Sequence, residues 1–336
     1  MKKLTIVAPT IKTGGGKELL LYLIDHLVKE YPEVEKTIYL HKNINIESIQ
    51  GLKIIHIDSP KKILLLYGRR FKNVLYFGNL PPYRKTEKSA VYFHNRYLLL
   101  STKELLHLKE SKLIHKILNL IRQLYLKMFA SNVDYIICQN EAVKKGFQKK
   151  YNYENIKILP FFRNCEKNLP INEKLFDFCY ISLAHPHKNH LNLLRAIGIL
   201  AKKGKVFKVA LTVEYDKTEI LSEIENINRM GGVEIINFGP VSKTEVCKIY
   251  SKSKCLIFPS TSESFGLPLV EASEVGLDVI AANLSYTFEV IEPSMTFDPY
   301  NPKEIATCMD KFLKGKTKRA KTKVKNEIDT MIKSVL

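Results

Sequence analysis

The sequence predicts an α/β protein built of two doubly wound domains, each a parallel sheet covered by helices on both faces. Three observations carry this. The chain has 336 residues, which at roughly 150 residues per domain gives room for two separate cores. Short β-branched or aromatic runs alternate with helical patterns along most of its length, the signature of strand–crossover–strand units. One polar, proline-bearing segment, CEKNLPINEKL at 165–175, interrupts that alternation and reads as a linker. The expected boundaries are 1–165 and 166–315, with a cleft between two lobes.

In the first half, LTIVAP (4–9) is a strand and KELLLYLIDHLVKEY (17–31) a helix with apolar residues three and four apart. TIYLH (37–41), LKIIHI (52–57), NVLYFGN (73–79), SAVYFHN (89–95) and VDYIICQN (133–140) follow as buried strands. The longest helix, SKLIHKILNLIRQLYLKMF (111–129), gathers Ile114, Ile117, Leu118, Ile121, Leu124, Tyr125 and Met128 on one face and basic residues on the other. Two readings are open for it: a core-facing helix, or one lying on a membrane.

The second half repeats the alternation. Strands are expected at 176–184, 206–213, 233–239, 254–260 and 278–283, and helices at 189–203, 217–230, 242–252 and 267–275. No short-period repeat is present.

Composition narrows the function classes. Hydrophobic residues make up 45% and charged residues 26%, which excludes a disordered or collagen-like chain. Six cysteines, at 138, 165, 179, 247, 255 and 308, show neither a C-x-x-C pair nor metal-ligand spacing, a pattern suited to a reducing cytosol. The apolar run before Pro9 is too short for a secretory signal of roughly 7 to 15 apolar residues. No window approaches the roughly 20 apolar residues of a membrane span, so membrane contact is expected to be peripheral. Lys and Arg number 53 against 34 Asp and Glu, a net charge of +19 that calls for an anionic partner. Residues 311–325 alone hold eight basic residues and no acidic one, either a solvated segment or a surface that meets anionic lipid.

Ligands of open α/β sheets bind at the carboxyl ends of strands, and both halves place suggestive residues there. Thr13-Gly14-Gly15-Gly16-Lys17 separates the first strand from the first helix; its glycines allow close backbone approach to an anion, or form a plain tight turn. It fits neither G-x-G-x-x-G nor a P-loop. In SLAHPHKNHLNLL, Lys188 precedes a helix, with Asn189 as its expected N-cap and His185, His187 and His190 close by. No carboxylate or cysteine joins these histidines, which argues against a metal and for Lys188 as a phosphate contact. In TSESFGLPLVEASE (261–274), Glu263 lies at a strand end, Ser262 to Leu267 form the turn, Pro268 suits a helix start, and Glu271 is expected on that helix's first turn. Two carboxylates thereby flank free N–H groups at a helix N-terminus.

Glu263-Ser264-Phe265-Gly266-Leu267-Pro268 with Glu271 resembles the E-x7-E signature of the retaining nucleotide-sugar glycosyltransferases of family 4. Gly14 to Gly16, His94-Asn95, HPHKNH with Lys188, and Phe238-Gly239 followed by Val241 agree, in the expected order over nearly the whole chain. The resemblance implies the GT-B fold, with a C-terminal helix of about 316–336 packing back on the first domain. It implies that Glu271 binds donor ribose and Glu263 the transferred sugar. The backbone of Ser264, Phe265, Gly266 and Leu267 would hold sugar and diphosphate, and Lys188 would balance the leaving diphosphate without a metal. Gly15 and Gly16 would border phosphates and acceptor across the cleft, His94 would sit by the donor sugar unless it is a buried structural histidine, and Phe238 and Val241 would flank the base. No cofactor is implied beyond a UDP-, GDP- or ADP-sugar donor. The acceptor would be an oligosaccharide or a lipid-linked glycan of lipopolysaccharide, O-antigen or capsule, met in the cytoplasm at an anionic membrane surface.

One position departs from the family pattern: Leu183 stands where an arginine is common, leaving His185, His187 or Arg163 to supplement Lys188. Two other classes fit the sequence less well. A nucleotide-sugar 2-epimerase shares the two-lobed fold but fits the glycine turn and E-x7-E less well. A nucleic-acid-binding protein would suit the net charge, yet no RNA- or DNA-binding module is present and no nucleic-acid partner is expected.

Overall fold

Runs such as NVLYF and YIIC are apolar at successive positions, as strands buried on both faces must be, and they pair into parallel sheets. A computed structural model describes residues 2–46, 49–107, 112–165, 173–315 and 317–336. They fall into two units, Met1–Arg163 with Lys325–Leu336, and Asn164–Val324.

The first unit holds β1 (Lys3–Ala8), β2 (Glu35–His41), β3 (Leu52–Ile57), β4 (Lys72–Phe77), β5 (Glu87–Tyr92), β6 (Tyr135–Cys138) and β7 (Ile156–Ile158). Their order is β3-β2-β1-β4-β5-β6-β7, and each neighbouring pair is parallel. Around them lie α1 (Gly14–Glu30), α2 (Pro60–Tyr67), α3 (Thr102–His107), α4 (Leu113–Phe129) and α5 (Glu141–Tyr151). Parallel neighbours require crossovers, and the helices supply them. The core between β4, β5 and β6 is aromatic: Phe77 and Tyr92 stack 4.8 Å apart at an interplanar angle of 2°.

The second unit holds β8 (Phe176–Tyr180), β9 (Phe207–Leu211), β10 (Val233–Asn237), β11 (Ser253–Phe258), β12 (Asp278–Ala282), the short β13 (Ile291–Glu292), β14 (Met295–Phe297) and the short β15 (Lys321–Thr322). Its main sheet runs β10-β9-β8-β11-β12-β14. The helices are α6 (His190–Lys202), α7 (Thr218–Arg229), α8 (Lys243–Ser251), α9 (Leu267–Glu274), α10 (Ser285–Val290) and α11 (Pro302–Leu313). The basic segment after α11 stays with this unit because β15 pairs antiparallel with β13 and Lys323 N donates to Val290 O.

The chain then returns to the first unit as α12 (Ile328–Val335). Asn326 Nδ2 donates to Phe162 O at 2.7 Å, and Asp329 Oδ1 accepts from Tyr31 OH at 2.9 Å. His26 Nε2 lies at 2.9 Å from the same oxygen. Ile328, Met331, Ile332 and Val335 form the buried face.

Two expectations change. The apolar face of the long helix faces solvent, not the core: in α4 it is Gln123 and Leu126 that are buried, whereas Ile121 and Leu124 are 58% and 61% exposed. Gln123 Nε2 donates to Tyr97 O and Leu100 O, at 3.3 and 3.0 Å, which ties the face carrying Gln123 and Leu126 to the fold. Ser111 of the expected helix lies outside the described residues. Nor do all six cysteines stay reduced. Cys165, where the chain enters the second unit, passes α8 with its Cα 5.5 Å from that of Cys247, and the two form a disulfide. Cys138, Cys179, Cys255 and Cys308 are buried thiols. No helix among the described residues is long and apolar enough to cross a membrane.

Candidate active site

In the second sheet the strand order reverses between β8 and β11, the switch point where the following loops diverge and leave room for a ligand. The loop after β8 brings Lys188 there and the loop after β11 brings Glu263. Lys188 Nζ donates to Glu263 Oε1 at 2.6 Å, with the side chains only 16% and 12% exposed. Backbone contacts hold the pair in place. Tyr180 OH donates to Lys188 O at 2.7 Å. Thr261 N donates to His187 O at 2.8 Å, and Ser260 Oγ and Thr261 Oγ1 donate to the same oxygen.

Asn189 does not cap α6 with its side chain. An N-cap side chain must accept hydrogen bonds, whereas Asn189 Nδ2 donates to Pro259 O at 3.1 Å and Pro299 O at 2.7 Å. Its φ of 62° swings the amide towards the strand ends.

The turn 264–267 leads into α9. Phe265 is buried, and Gly266 adopts φ +87°, where a Cβ would also meet Leu269 Cδ1 at 3.0 Å. Pro268 occupies the first turn, as its fixed φ suits. Glu271, expected on that first turn, lies one residue beyond it, since the helix begins at Leu267. It stays at the same end of the sheet, 11% exposed by its side chain, and is paired with Lys243 Nζ.

Lys243 is the functional candidate that the sequence did not reveal. It opens α8, whose start was legible: Ser242 and Glu245 form a capping box, with Ser242 N donating to Glu245 Oε2 at 2.8 Å. Its pairing with Glu271, on a different helix, was not. Phe238, at the end of β10, is partly exposed and packs edge-on against Phe176 at 5.8 Å; Val241, nearby, is half-buried.

The three histidines divide. His190 lies against Tyr180, ring centroids 4.7 Å apart, and burial, then Lys188, push its pKa down to about 3. His187 is held down at about 4, first by burial and then by Lys188. Its ring stacks on that of His185 at 5.9 Å. Among the described residues, no group of three or more His, Cys, Asp or Glu is placed to hold a metal ion. Leu183 contributes no charge, and Arg163 is engaged within the first unit, where its Nη2 meets Asp25 Oδ2 at 2.9 Å.

In the first unit the order reverses between β1 and β4, and a second cluster forms at the carboxyl ends of β1, β4 and β5. Helix α1 begins at Gly14, so Gly14, Gly15 and Gly16 are its first turn rather than a loop before it. Thr13 makes no side-chain cap. A Cβ on Gly16 would meet His94 Nε2 at 3.0 Å. Asn79 Oδ1 accepts from His94 N at 2.7 Å, and Asn79 Nδ2 lies 3.4 Å from His94 Nε2. That orientation makes Nε2 the acceptor and puts the ring proton on Nδ1. Desolvation pushes the pKa of His94 down to about 4, so the imidazole is neutral near neutral pH.

The chain is similar to known proteins. Residues 161–327 match the family described as glycosyl transferases group 1. An O-antigen chain mannosyltransferase of Salmonella typhimurium is 23% identical over 170 residues, 49% of this chain and 47% of its own. O-antigen chain mannosyltransferase B of Escherichia coli is 22% identical over 251 residues, covering 69% and 63%. The chain thus spans about half to two-thirds of the length of these relatives. Among solved structures, sucrose-phosphate synthase from Thermosynechococcus elongatus superposes with a TM-score of 0.67 at 13% identity, over 94% of this chain and 90% of that one, a likeness of fold.

Proposed function

We propose that this chain, whose residues 161–327 match the family described as glycosyl transferases group 1, moves a sugar from a nucleotide-sugar donor to a glycan acceptor. The observation that carries the reading is the partly buried Lys188–Glu263 pair at the β8/β11 switch point, beside the N-terminus of α9. Cleaving the sugar–phosphate bond builds positive charge on the ring and negative charge on the diphosphate. A cation and preorganised N–H donors stabilise the second of these as it forms. Lys188 and the Gly266–Leu267 backbone supply them, with no metal ion or further cofactor. Glu263 accepts from hydroxyls of the transferred sugar, and Glu271, an acceptor-only carboxylate, faces the ribose diol. Phe238 and Val241 border the base, and Ser264 and Phe265 complete the turn. Lys243 takes part of the role left open by Leu183, next to Glu271.

The reaction proceeds with retention, as in the family 4 enzymes the motif resembles. The acceptor oxygen bonds to the anomeric carbon on the face from which the diphosphate departs, and a donor phosphate oxygen takes the hydroxyl proton. In the first unit, Gly15, Gly16 and neutral His94 are assigned to the acceptor and the transferred sugar. The relatives' names support mannose as that sugar and O-antigen or a related surface glycan as the product. The acceptor is then an oligosaccharide or a lipid-linked one, reached from the cytoplasm at an anionic membrane.

A thermal-shift series with UDP, GDP and ADP sugars tests the reading. One nucleotide should raise the melting temperature, and Glu271→Ala should abolish the rise. A wild-type protein that none of the three stabilises would overturn it.

A further inference from the structure

We propose that helix α4 is the lipid-binding element of this protein, lying along an anionic membrane surface with its apolar face down. This deepens the reading above, on which it rests only for the reason a membrane is needed. The helix is amphipathic in the reverse sense to a core helix. Inward, Gln123 donates to the Tyr97 and Leu100 carbonyls, Lys116 Nζ donates to Leu106 O at 2.6 Å, and Leu126 is fully buried. Outward, Ile114, Ile117, Ile121, Leu124 and Met128, three and four residues apart, are 43 to 61% exposed. A continuous apolar stripe of this kind marks an interaction surface.

Charge identifies the occupant. Between Lys112 and Val133 the sequence contains no acidic residue, and Lys112, His115, Arg122 and Lys127 are exposed. In helical projection Lys127 flanks one side of the stripe, and Arg122, then His115, lie beyond the other. Acyl chains accept the stripe while anionic headgroups meet its cationic edges, the chemistry of a helix in the interfacial plane. A second copy would offer Arg122 and Lys127 only another basic helix with no acidic residue to meet them, a like-charge juxtaposition that opposes pairing. The neighbouring helix α2 adds Leu64 and Leu65, 61% and 67% exposed, with exposed Lys61 and Lys62. Both helices are anchored on one loop, through Tyr83 N to Tyr67 O and Tyr125 OH to Pro81 O. The basic segment 311–325, by contrast, presents no exposed large apolar side chain among its described residues.

Co-sedimentation of the full chain with phosphatidylcholine vesicles, with and without phosphatidylglycerol, tests this. Wild type should pellet with the anionic vesicles, and less so as salt is raised. Ile121→Glu with Leu124→Glu should weaken binding roughly tenfold or more, since each removes an apolar side chain from the acyl region. Arg122→Glu with Lys127→Glu should remove the preference for phosphatidylglycerol. Lys318→Glu with Arg319→Glu should do less than either. Wild-type protein that stays in the supernatant, or an Ile121→Glu/Leu124→Glu variant that binds as wild type, overturns the proposal. So does light scattering that finds a dimer converted to monomer by the same pair. Nucleotide thermal shifts on each variant separate the two readings: vesicle binding without any nucleotide response removes the transferase and leaves the lipid surface standing.

Discussion

Lys188 Nζ lies 2.6 Å from Glu263 Oε1, joining the loop after β8 to the loop after β11 in a pair that is almost closed to solvent. Removing one member strands the other. Lys188→Met should lower stability by roughly 1 to 3 kcal/mol, the cost of a buried polar group without its partner. Adding Glu263→Gln should recover most of that loss. Transfer should stay down roughly a hundredfold in both variants, because the developing diphosphate charge has lost its cation. Urea melts and a donor-turnover assay check the two effects, and a double variant no more stable than the single would refute the coupling.

Glu271 and Lys243 pair on neighbouring helices. Lys243→Met should weaken nucleoside diphosphate binding roughly tenfold, less than Glu271→Ala, which removes the ribose acceptor itself. Glu263→Ala should instead lower turnover more than affinity. Calorimetric titration of each variant with the best nucleotide of the thermal-shift series separates these; unaltered binding in Lys243→Met would confine that lysine to a structural role.

Gly16 faces His94 closely enough that an added methyl would sit 3.0 Å from Nε2. Gly16→Ala should therefore displace the imidazole and reduce transfer. Combined with His94→Ala, it should cost no more than His94→Ala alone, because both act on one ring. Additive losses would separate the glycine from the histidine.

Three histidines make stability sensitive to acid. His94 and His187 are held at about 4 and His190 at about 3, each mainly by burial, against 6.5 in an open chain. Between those values the unfolded chain binds protons that the native state refuses, so stability is full above about pH 6.5 and falls as pH drops towards 4. Each group contributes up to about a tenfold change in the folding equilibrium per pH unit in that window. Chemical melts across it should show the decline, and His190→Gln should flatten it; an identical slope in that variant would point to other groups.

Much of this protein was legible from local pattern. Strand runs such as LKIIHI and helix starts such as Ser242-Lys243-Thr244-Glu245 are decided by residues within a few positions of each other. The sheet class followed from their alternation, and the positions of Glu263, Lys188 and His94 at strand ends from the same reading. Helix boundaries moved by a few residues: α1 begins at Gly14, and Glu271 falls past the first turn of α9.

What distant contacts decide was not legible. Asn189 has the composition of an N-cap, yet the carbonyls of Pro259 and Pro299 claim its amide. Cys165 and Cys247 show no suggestive spacing, and only the folded chain brings them together. The same holds for Lys243 and Glu271. Helix α4 is the sharpest case. Its sequence alone established an amphipathic helix, because a 3.6-residue period sorts side chains onto two faces whatever surrounds them. Which face turns inward depends on what the rest of the fold offers. The carbonyls of Tyr97 and Leu100 accept from the Gln123 amide, and Leu100 O from Lys150 Nζ as well, so tertiary structure turned Gln123 inward and left the isoleucines for another surface.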